Sequence, residues 1–509
     1  MGKFMRFLLV FSLFTLLSIA AADAKPIETL NVGLPGDATN LDPMKATDTL
    51  SFAVSRHINE PLVTVDGKTK ELVPVLAEKW EIIDPQTYKF YLRKGVKFHN
   101  GEPFTAADVV YSFTRAASPD SVHAKSRGRF IDVSGFQIID DHTVIIKTHG
   151  PVGGWLETMK HPYVVMFNKK AVEEAGDDYF RNPVGTGPFK FKSWTKGERV
   201  ELTAFDDYYG KKPSVKNLNF LILPDNSSRV IALETGKIDL TYAVPPSDVE
   251  RLNAPDSKVK AIIGQGLGLI YLGMNTQRKP LDDSRVRKAI DHAVNKEAYD
   301  QVVYHGVSTI PLGPLVTAST FTPSNVTKYP FDQAKAKEIL KEAGYPDGFT
   351  VKLWIPNYQD RIDGATVLQS MLAQVGIKVE IEVFESGVLD ERVKTKEYDI
   401  VVSTWGMQTN RDAGQFWLPL FHSQNIGPTN WTNLNDPTTD DLINKVNVTV
   451  DANERKAILQ QIWDRLDELR PMIGLSVPSE LYGGRKDLVG IEDFYDGRLN
   501  YLGNLTLKD

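Results

Sequence analysis

Three turn signals lie between alternating apolar runs within residues 76–115, and this block constrains the fold more tightly than any other stretch of the chain. Trp80, Ile82, Tyr88, Phe90 and Leu92 alternate with polar neighbours around the breaker Asp84-Pro85, the pattern of a half-buried hairpin. Asn100-Gly101 supplies the positive φ angles of a two-residue hairpin turn, with Val96 and Phe98 before it and Phe104 after it. A helix is predicted at once. Thr105 is a good N-cap, Asp108 stands three residues on, and Val109, Val110 and Phe113 form an apolar helical stripe. The block reads as hairpin, turn and helix, a unit of α+β or α/β architecture.

A chain of 509 residues is too long for one hydrophobic core and predicts two or more domains. At its start, Lys3 and Arg6 precede an apolar run over 7–19, and Ala22-Asp23-Ala24 offers small residues for cleavage. Residues 1–24 are therefore expected to be a signal peptide, with a mature chain beginning near Lys25. The run is too short to cross a bilayer comfortably, and no later segment approaches the length a membrane helix needs. The chain holds 0 cysteines, which excludes disulfides, zinc ribbons and a lipid-anchored cysteine after the signal peptide. A soluble periplasmic form is expected. The formal net charge of −6 and the absence of a basic block speak against nucleic acid as a partner.

After Ser227, Val230 and Leu233 mark a helix ended by Gly236, followed by a strand over 238–243. Gly264, Gly266 and Gly268 superficially suggest a nucleotide loop, yet they open a strand instead of a helix. They fit a crossing between domains. Beyond it the pattern predicts helices over 283–294, 332–343 and 361–375, strands over 349–354, 377–384 and 398–405, two helices within 440–469 and a strand over 501–507. Such alternation predicts a mixed sheet covered by helices, hence an α/β lobe.

Residue identities narrow this further. Trp80, the run from Leu92 to Phe98, Asn100-Gly101 and Phe104-Thr105-Ala106-Ala107-Asp108-Val109 resemble the signature of family 5 extracellular solute-binding proteins, the peptide and nickel receptors of ABC importers. The likeness continues through Pro183-Val184-Gly185-Thr186-Gly187-Pro188-Phe189, Leu233-Glu234-Thr235-Gly236-Lys237-Ile238-Asp239, Met274-Asn275-Thr276 and Val286-Arg287-Lys288-Ala289-Ile290. It spans essentially the whole mature chain. The resemblance implies a two-lobed α/β periplasmic binding protein, type II-like, with mixed sheets flanked by helices and a ligand cleft between the lobes. Lobe I is expected over 25–268 plus 478–509, with an extra subdomain at about 60–188, and lobe II over 269–477. The second crossing is placed at 474–478.

Candidate site residues follow from both kinds of reading. Arg361 opens a helix after the loop Trp354-Ile355-Pro356-Asn357-Tyr358, where its fork could hold a carboxylate near a helix N-terminus; a solvated surface arginine is the alternative. Trp405 ends an apolar strand and leads into the polar loop from Gly406 to Asp412; the alternative is a core tryptophan. The dipeptide-binding branch implies a carboxylate-anchoring arginine near Arg361 and an amine-binding acid three residues after the tryptophan. Gln408 stands there instead, so either Asp412 takes that task or the ligand is recognised differently. The glutathione-binding branch likewise lacks the acid, and the segments from Leu41 to Pro43 and Asp48 to Ser51 resemble it. The resemblance places Asp48 and Thr49 along the cleft, and the nickel-binding branch implies a role for Arg127 and Arg129. Lys160-His161 is a further candidate. His422 reads as a structural histidine before a metal ligand.

No GxSxG, HExxH or P-loop is present, and no two histidines share a helix face. Sequence and resemblance together predict a monomeric, non-enzymatic receptor without cofactor or metal. It would bind a glutathione-like ligand or a di- or tripeptide and deliver it to an ABC permease. A metal chelate, an opine or another non-peptide solute is the principal alternative, and a secreted enzyme the third.

Overall fold

The computed structural model describes residues 25–66, 69, 71–124, 128–159, 161, 163–407, 411–491 and 502–508. The expected signal peptide, Arg127, Lys160, Gln408 and Tyr501 lie outside the described residues.

Two large sheets flanked by helices make a two-lobed α/β molecule. The first has seven strands in the order Val259–Gly264, Glu480–Arg485, Leu240–Tyr242, Ile27–Leu34, Val215–Ile222, Arg199–Ala204 and Phe189–Thr195. Ile27–Leu34 runs parallel to both its neighbours, and the remaining pairs are antiparallel. Leu30, Val32 and Leu34 pack with Leu218, Phe220 and Ile222 in its core. The second sheet has five strands in the order Ile377–Phe384, Phe349–Pro356, Ile400–Gly406, Gly268–Met274 and Met472–Ser476. The helices Ser284–Ala293, Lys296–Tyr304 and Gln359–Ala373 share its core.

The chain leaves the first sheet at Gly264, enters the second at Gly268, and returns between Ser476 and Glu480. These two crossings touch. A Cβ on Gly266 would stand 2.3 Å from the Pro478 carbonyl oxygen, so only glycine lets the segments lie this close. Val477 is further held by reciprocal backbone hydrogen bonds with Thr309 of 2.8 and 3.0 Å.

Between strand Ile27–Leu34 and strand Phe189–Thr195 the chain builds a four-stranded antiparallel sheet, Ala77–Asp84, Thr87–Leu92, Thr143–Lys147 and Gln137–Asp140, with its own core. The hairpin at Asp84-Pro85 forms, with Trp80 opposite Phe90 and Ile82 opposite Tyr88, although Ile82 is exposed. The turn at Asn100-Gly101 differs from expectation. The Phe98 N–H donates to the Glu102 carbonyl at 2.8 Å, closing a three-residue loop in which Gly101, at φ 89°, takes the left-handed position. Three-residue loops need one such residue where a two-residue type I′ turn needs two. Helix Ala106–Ala117 starts as expected, the Thr105 N–H donating to Asp108 Oδ2 at 2.8 Å. At the C-terminus the expected strand over 501–507 is shorter, a 3₁₀ turn at Leu502–Asn504 and the two residues Thr506–Leu507.

This subdomain is pinned back by the Gly-Thr-Gly segment. The Gly185 N–H donates to His99 Nδ1 at 3.2 Å, which leaves the Nε2–H to donate to the Gly187 carbonyl at 2.9 Å. Burial, against the Gly187 bond, pushes His99 down to about 4, so the ring stays neutral. Thr186 donates to the buried Glu60 carboxylate at 2.9 Å, which also accepts from Tyr208 and Tyr209. A Cβ on Gly185 would meet the Ile58 carbonyl oxygen at 1.9 Å.

Candidate ligand-binding site

Strands Gly268–Met274 and Ile400–Gly406 pair with Tyr271 opposite Ser403 and Leu269 opposite Trp405. Side chains two apart on a strand share a face, so Ser403 and Trp405 stand side by side with Tyr271 next to them. They wall a cavity of about 490 Å³ whose other sides include Arg361, Tyr358, Asp390 and Trp431. Of the residues singled out in this lobe from sequence, Arg361 and Trp405 are thus brought together. Tyr271 and Ser403 were not legible, because strand pairing sets their neighbourhood; Ser403 alone could have been found from its spacing of two to Trp405.

Arg361 lies in the first turn of helix Gln359–Ala373, whose N-cap residue Tyr358 offers no side-chain acceptor to the helix amides. The guanidinium is buried. Its Nη1 donates to Asp360 Oδ2 at 2.5 Å and to the Tyr304 hydroxyl at 3.0 Å, its Nη2 donates to Thr404 Oγ1, and its Nε has no partner. Burial, against the nearby Arg361 charge, raises the Tyr304 hydroxyl pKa and keeps it protonated. The Asp360 side chain is 39% exposed against 9% for Arg361. The arrangement is a fixed cation with a partner able to swing into solvent, beside an uncapped helix N-terminus: the chemistry of a carboxylate site.

Asp412 sits elsewhere. It caps helix Ala413–Phe421 by accepting from the Gln415 N–H at 2.8 Å, and it takes both Nη2 and Nε of buried Arg455 at 2.6 and 3.1 Å. Its oxygens are already engaged. Asp48 caps helix Thr49–Ile58, accepting from the Ser51 N–H at 2.8 Å, the Ser51 hydroxyl at 2.7 Å and the Thr39 hydroxyl at 2.5 Å. Partial burial raises its pKa, but the hydrogen bonds from Thr39 and Ser51 prevail and hold it below the usual carboxylate range. Thr49 is exposed, as is Arg129, whose guanidinium lies 4.7 Å over the Phe130 ring. None of Asp412, Asp48, Thr49 and Arg129 lines the Arg361 cavity.

His161 is buried against the rings of Phe52, His123 and Tyr163. His422 is hydrogen-bonded to Asn444 at 3.1 Å and accepts from the Gln424 N–H at 3.2 Å, a structural role. Among the described residues no group of three or more histidine, cysteine, aspartate or glutamate side chains is placed to hold a metal. No helix among them is long and apolar enough to cross a membrane.

Two α/β lobes joined by paired crossings, with a polar and aromatic cavity beside strand Ile400–Gly406, define a solute-binding receptor. Residues 71–428 match "Bacterial extracellular solute-binding proteins, family 5 Middle", and the chain belongs to that family. Curated relatives include the glutathione-binding protein GsiB of Salmonella choleraesuis, 31% identical over 484 residues and covering 93% of each chain. GsiB of Escherichia coli O157:H7 is 30% identical over 483 residues, again covering 93% of each. Among solved structures, HbpA2 of Haemophilus parasuis is 26% identical with a TM-score of 0.85, covering 95% of this chain and 100% of that one. DppA of Helicobacter pylori in complex with the peptide STSA is 28% identical with a TM-score of 0.70, covering 95% and 99%.

Proposed function

We propose that this protein is the periplasmic substrate-binding component of an ABC importer, binding a glutathione-like ligand or a di- or tripeptide and passing it to a membrane permease without chemistry. The observation that carries this reading is the convergence of Arg361 and Trp405 on one cavity, a fixed cation beside an aromatic wall. A ligand carboxylate displaces Asp360 from Arg361 and meets the free amides of the helix N-terminus, while apolar parts of the ligand lie on Trp405 and Tyr271. The 31% identity to glutathione-binding proteins and the likeness to peptide-bound DppA support the ligand class. Gln408, in place of the acid implied by the dipeptide branch, favours a ligand anchored mainly through its carboxylates.

The lobes comprise 25–268 plus 478–509 and 269–477, and the adjoining crossings at Gly266 and Val477 act as the hinge. Ligand touching both lobes then biases the equilibrium toward closure. The mature chain starts near Lys25, carries no lipid anchor and acts as a monomer. A second reading, an opine or other non-peptide solute, is favoured by one observation: AgaA in complex with agropinic acid is 27% identical with a TM-score of 0.68. Native mass spectrometry of the purified protein, followed by calorimetry with glutathione, dipeptides and opines, decides between them. Retained glutathione or peptide is expected; binding of opines or metal chelates alone would overturn the peptide reading.

A further inference from the structure

A second cavity, of about 480 Å³, lies at the seam between the four-stranded subdomain and the C-terminal helices of the second lobe. From the subdomain come Trp80, Tyr88, Trp155 and Glu157, and from the other side Phe321, Leu459 and the Asp412–Arg455 pair. The seam is tightly made. The Gly153 N–H donates to the Asn447 carbonyl at 2.7 Å, and a Cβ on Gly153 would stand 1.8 Å from Arg455 Nη1. Tyr88 and Trp155 pack with ring centroids 4.3 Å apart and ring planes tilted by 39°, giving an aromatic wall.

Two acids and two bases line this cavity, and only Asp412 and Arg455 are paired with each other. Arg455 is committed to Asp412 through Nε and Nη2 and to the Val446 and Thr449 carbonyls through Nη1. Glu157 faces the same space, and among the described residues no side chain donates to its carboxylate. Burial and the nearby Asp412 charge raise its pKa, with Arg455 opposing only partly. The remaining charged group, Lys456, is exposed at the rim. A carboxylate without a side-chain partner among the described residues, in a cavity also lined by Trp80, Tyr88 and Trp155, has the chemistry of a counter-ion beside aromatic rings.

We propose that this cavity is a binding site for an organic ammonium group carrying an aromatic or apolar substituent, with Glu157 as its counter-ion. It stands apart from the Arg361 cavity and does not depend on what that cavity binds. Trp155 and Trp80 also provide the signal.

Titration of the intact protein with benzylammonium, benzyl alcohol and benzoate, followed by tryptophan fluorescence and calorimetry, tests the proposal. Benzylammonium is expected to bind, with benzyl alcohol and benzoate weaker by about tenfold or more. Glu157→Gln, which keeps shape and removes charge, is expected to abolish that preference, and Lys456→Ala to leave or strengthen it. Equal binding of benzyl alcohol would make this a plain apolar cavity and overturn the proposal. So would a preference for benzoate, no binding of any probe, or benzylammonium affinity unchanged in Glu157→Gln. The comparison of the three probes on the unaltered protein stands even if the variant fails to fold.

Discussion

Arg361→Ala tests the ligand site most directly. The guanidinium is held by Tyr304, Asp360 and Thr404, so the protein itself orients it. Losing one charge-assisted hydrogen bond to a carboxylate costs about 1.5–3 kcal/mol, and each 1.4 kcal/mol is about tenfold in Kd. Affinity for glutathione should therefore fall roughly ten- to hundredfold. The substitution also strands Thr404 and leaves the Tyr304 hydroxyl only its bond to Asp360, which should lower stability by about 1–2 kcal/mol without unfolding the protein. Calorimetry with glutathione and with its carboxyl-amidated form separates the two effects. The unaltered protein should discriminate strongly between them, and the variant should not. Asp360→Asn, which releases the guanidinium, should hold or tighten glutathione binding. If Arg361→Ala weakens binding of the amidated ligand as much as that of glutathione, Arg361 acts through folding and the carboxylate assignment fails.

Other expectations rest on single features. Burial pushes Glu60 up to about 7 from its ordinary value of 4.5, against the hydrogen bonds from Tyr208, Thr186 and Tyr209. Folding then takes up a proton between those values, so this contribution to stability is complete below about 4.5 and is lost as pH rises through about 7, by up to about 3 kcal/mol. Denaturant titrations of Glu60→Gln should lack that part of the slope; an unchanged slope would clear Glu60. Gly185→Ala should cost about 2–3 kcal/mol by calorimetry, because the methyl group would collide with the Ile58 backbone, and a retained Tm would refute the close approach. Asp412→Ala should cost about 3–5 kcal/mol by leaving Arg455 buried without its carboxylate. Intact stability with ligand binding lost would return Asp412 to the site.

Local chemistry made much of this fold legible. Asp84-Pro85, Thr105 with Asp108, and the alternating strand residues act within a few positions of one another, and each produced the expected element. The loop at Asn100-Gly101 shows the limit, since its length was decided by Phe98 bonding to Glu102 and not by the dipeptide. The strands Gln137–Asp140 and Thr143–Lys147 were not read from sequence; Ile138 and Ile139 are exposed, so their apolar residues do not sort cleanly by face. Among candidate residues, Arg361 and Trp405 announced themselves through position at element ends. The pairing of Asp412 with Arg455 was not legible, because the two lie 43 positions apart. Glu157 carried no signal at all: a glutamate in a four-residue helix gains meaning only when the second lobe brings its own pair alongside.

The placement of Glu480–Arg485 sets an order of assembly. It fills the gap between Val259–Gly264 and Leu240–Tyr242, so the seven-stranded sheet has a missing interior strand until nearly the whole chain has been made. The five-stranded sheet is drawn entirely from 268–476 and needs nothing later. A polypeptide emerging N-terminus first therefore completes its second half before its first. A chain cut after Ser476 would carry one finished sheet and one with two bare strand edges, open to pairing with another molecule.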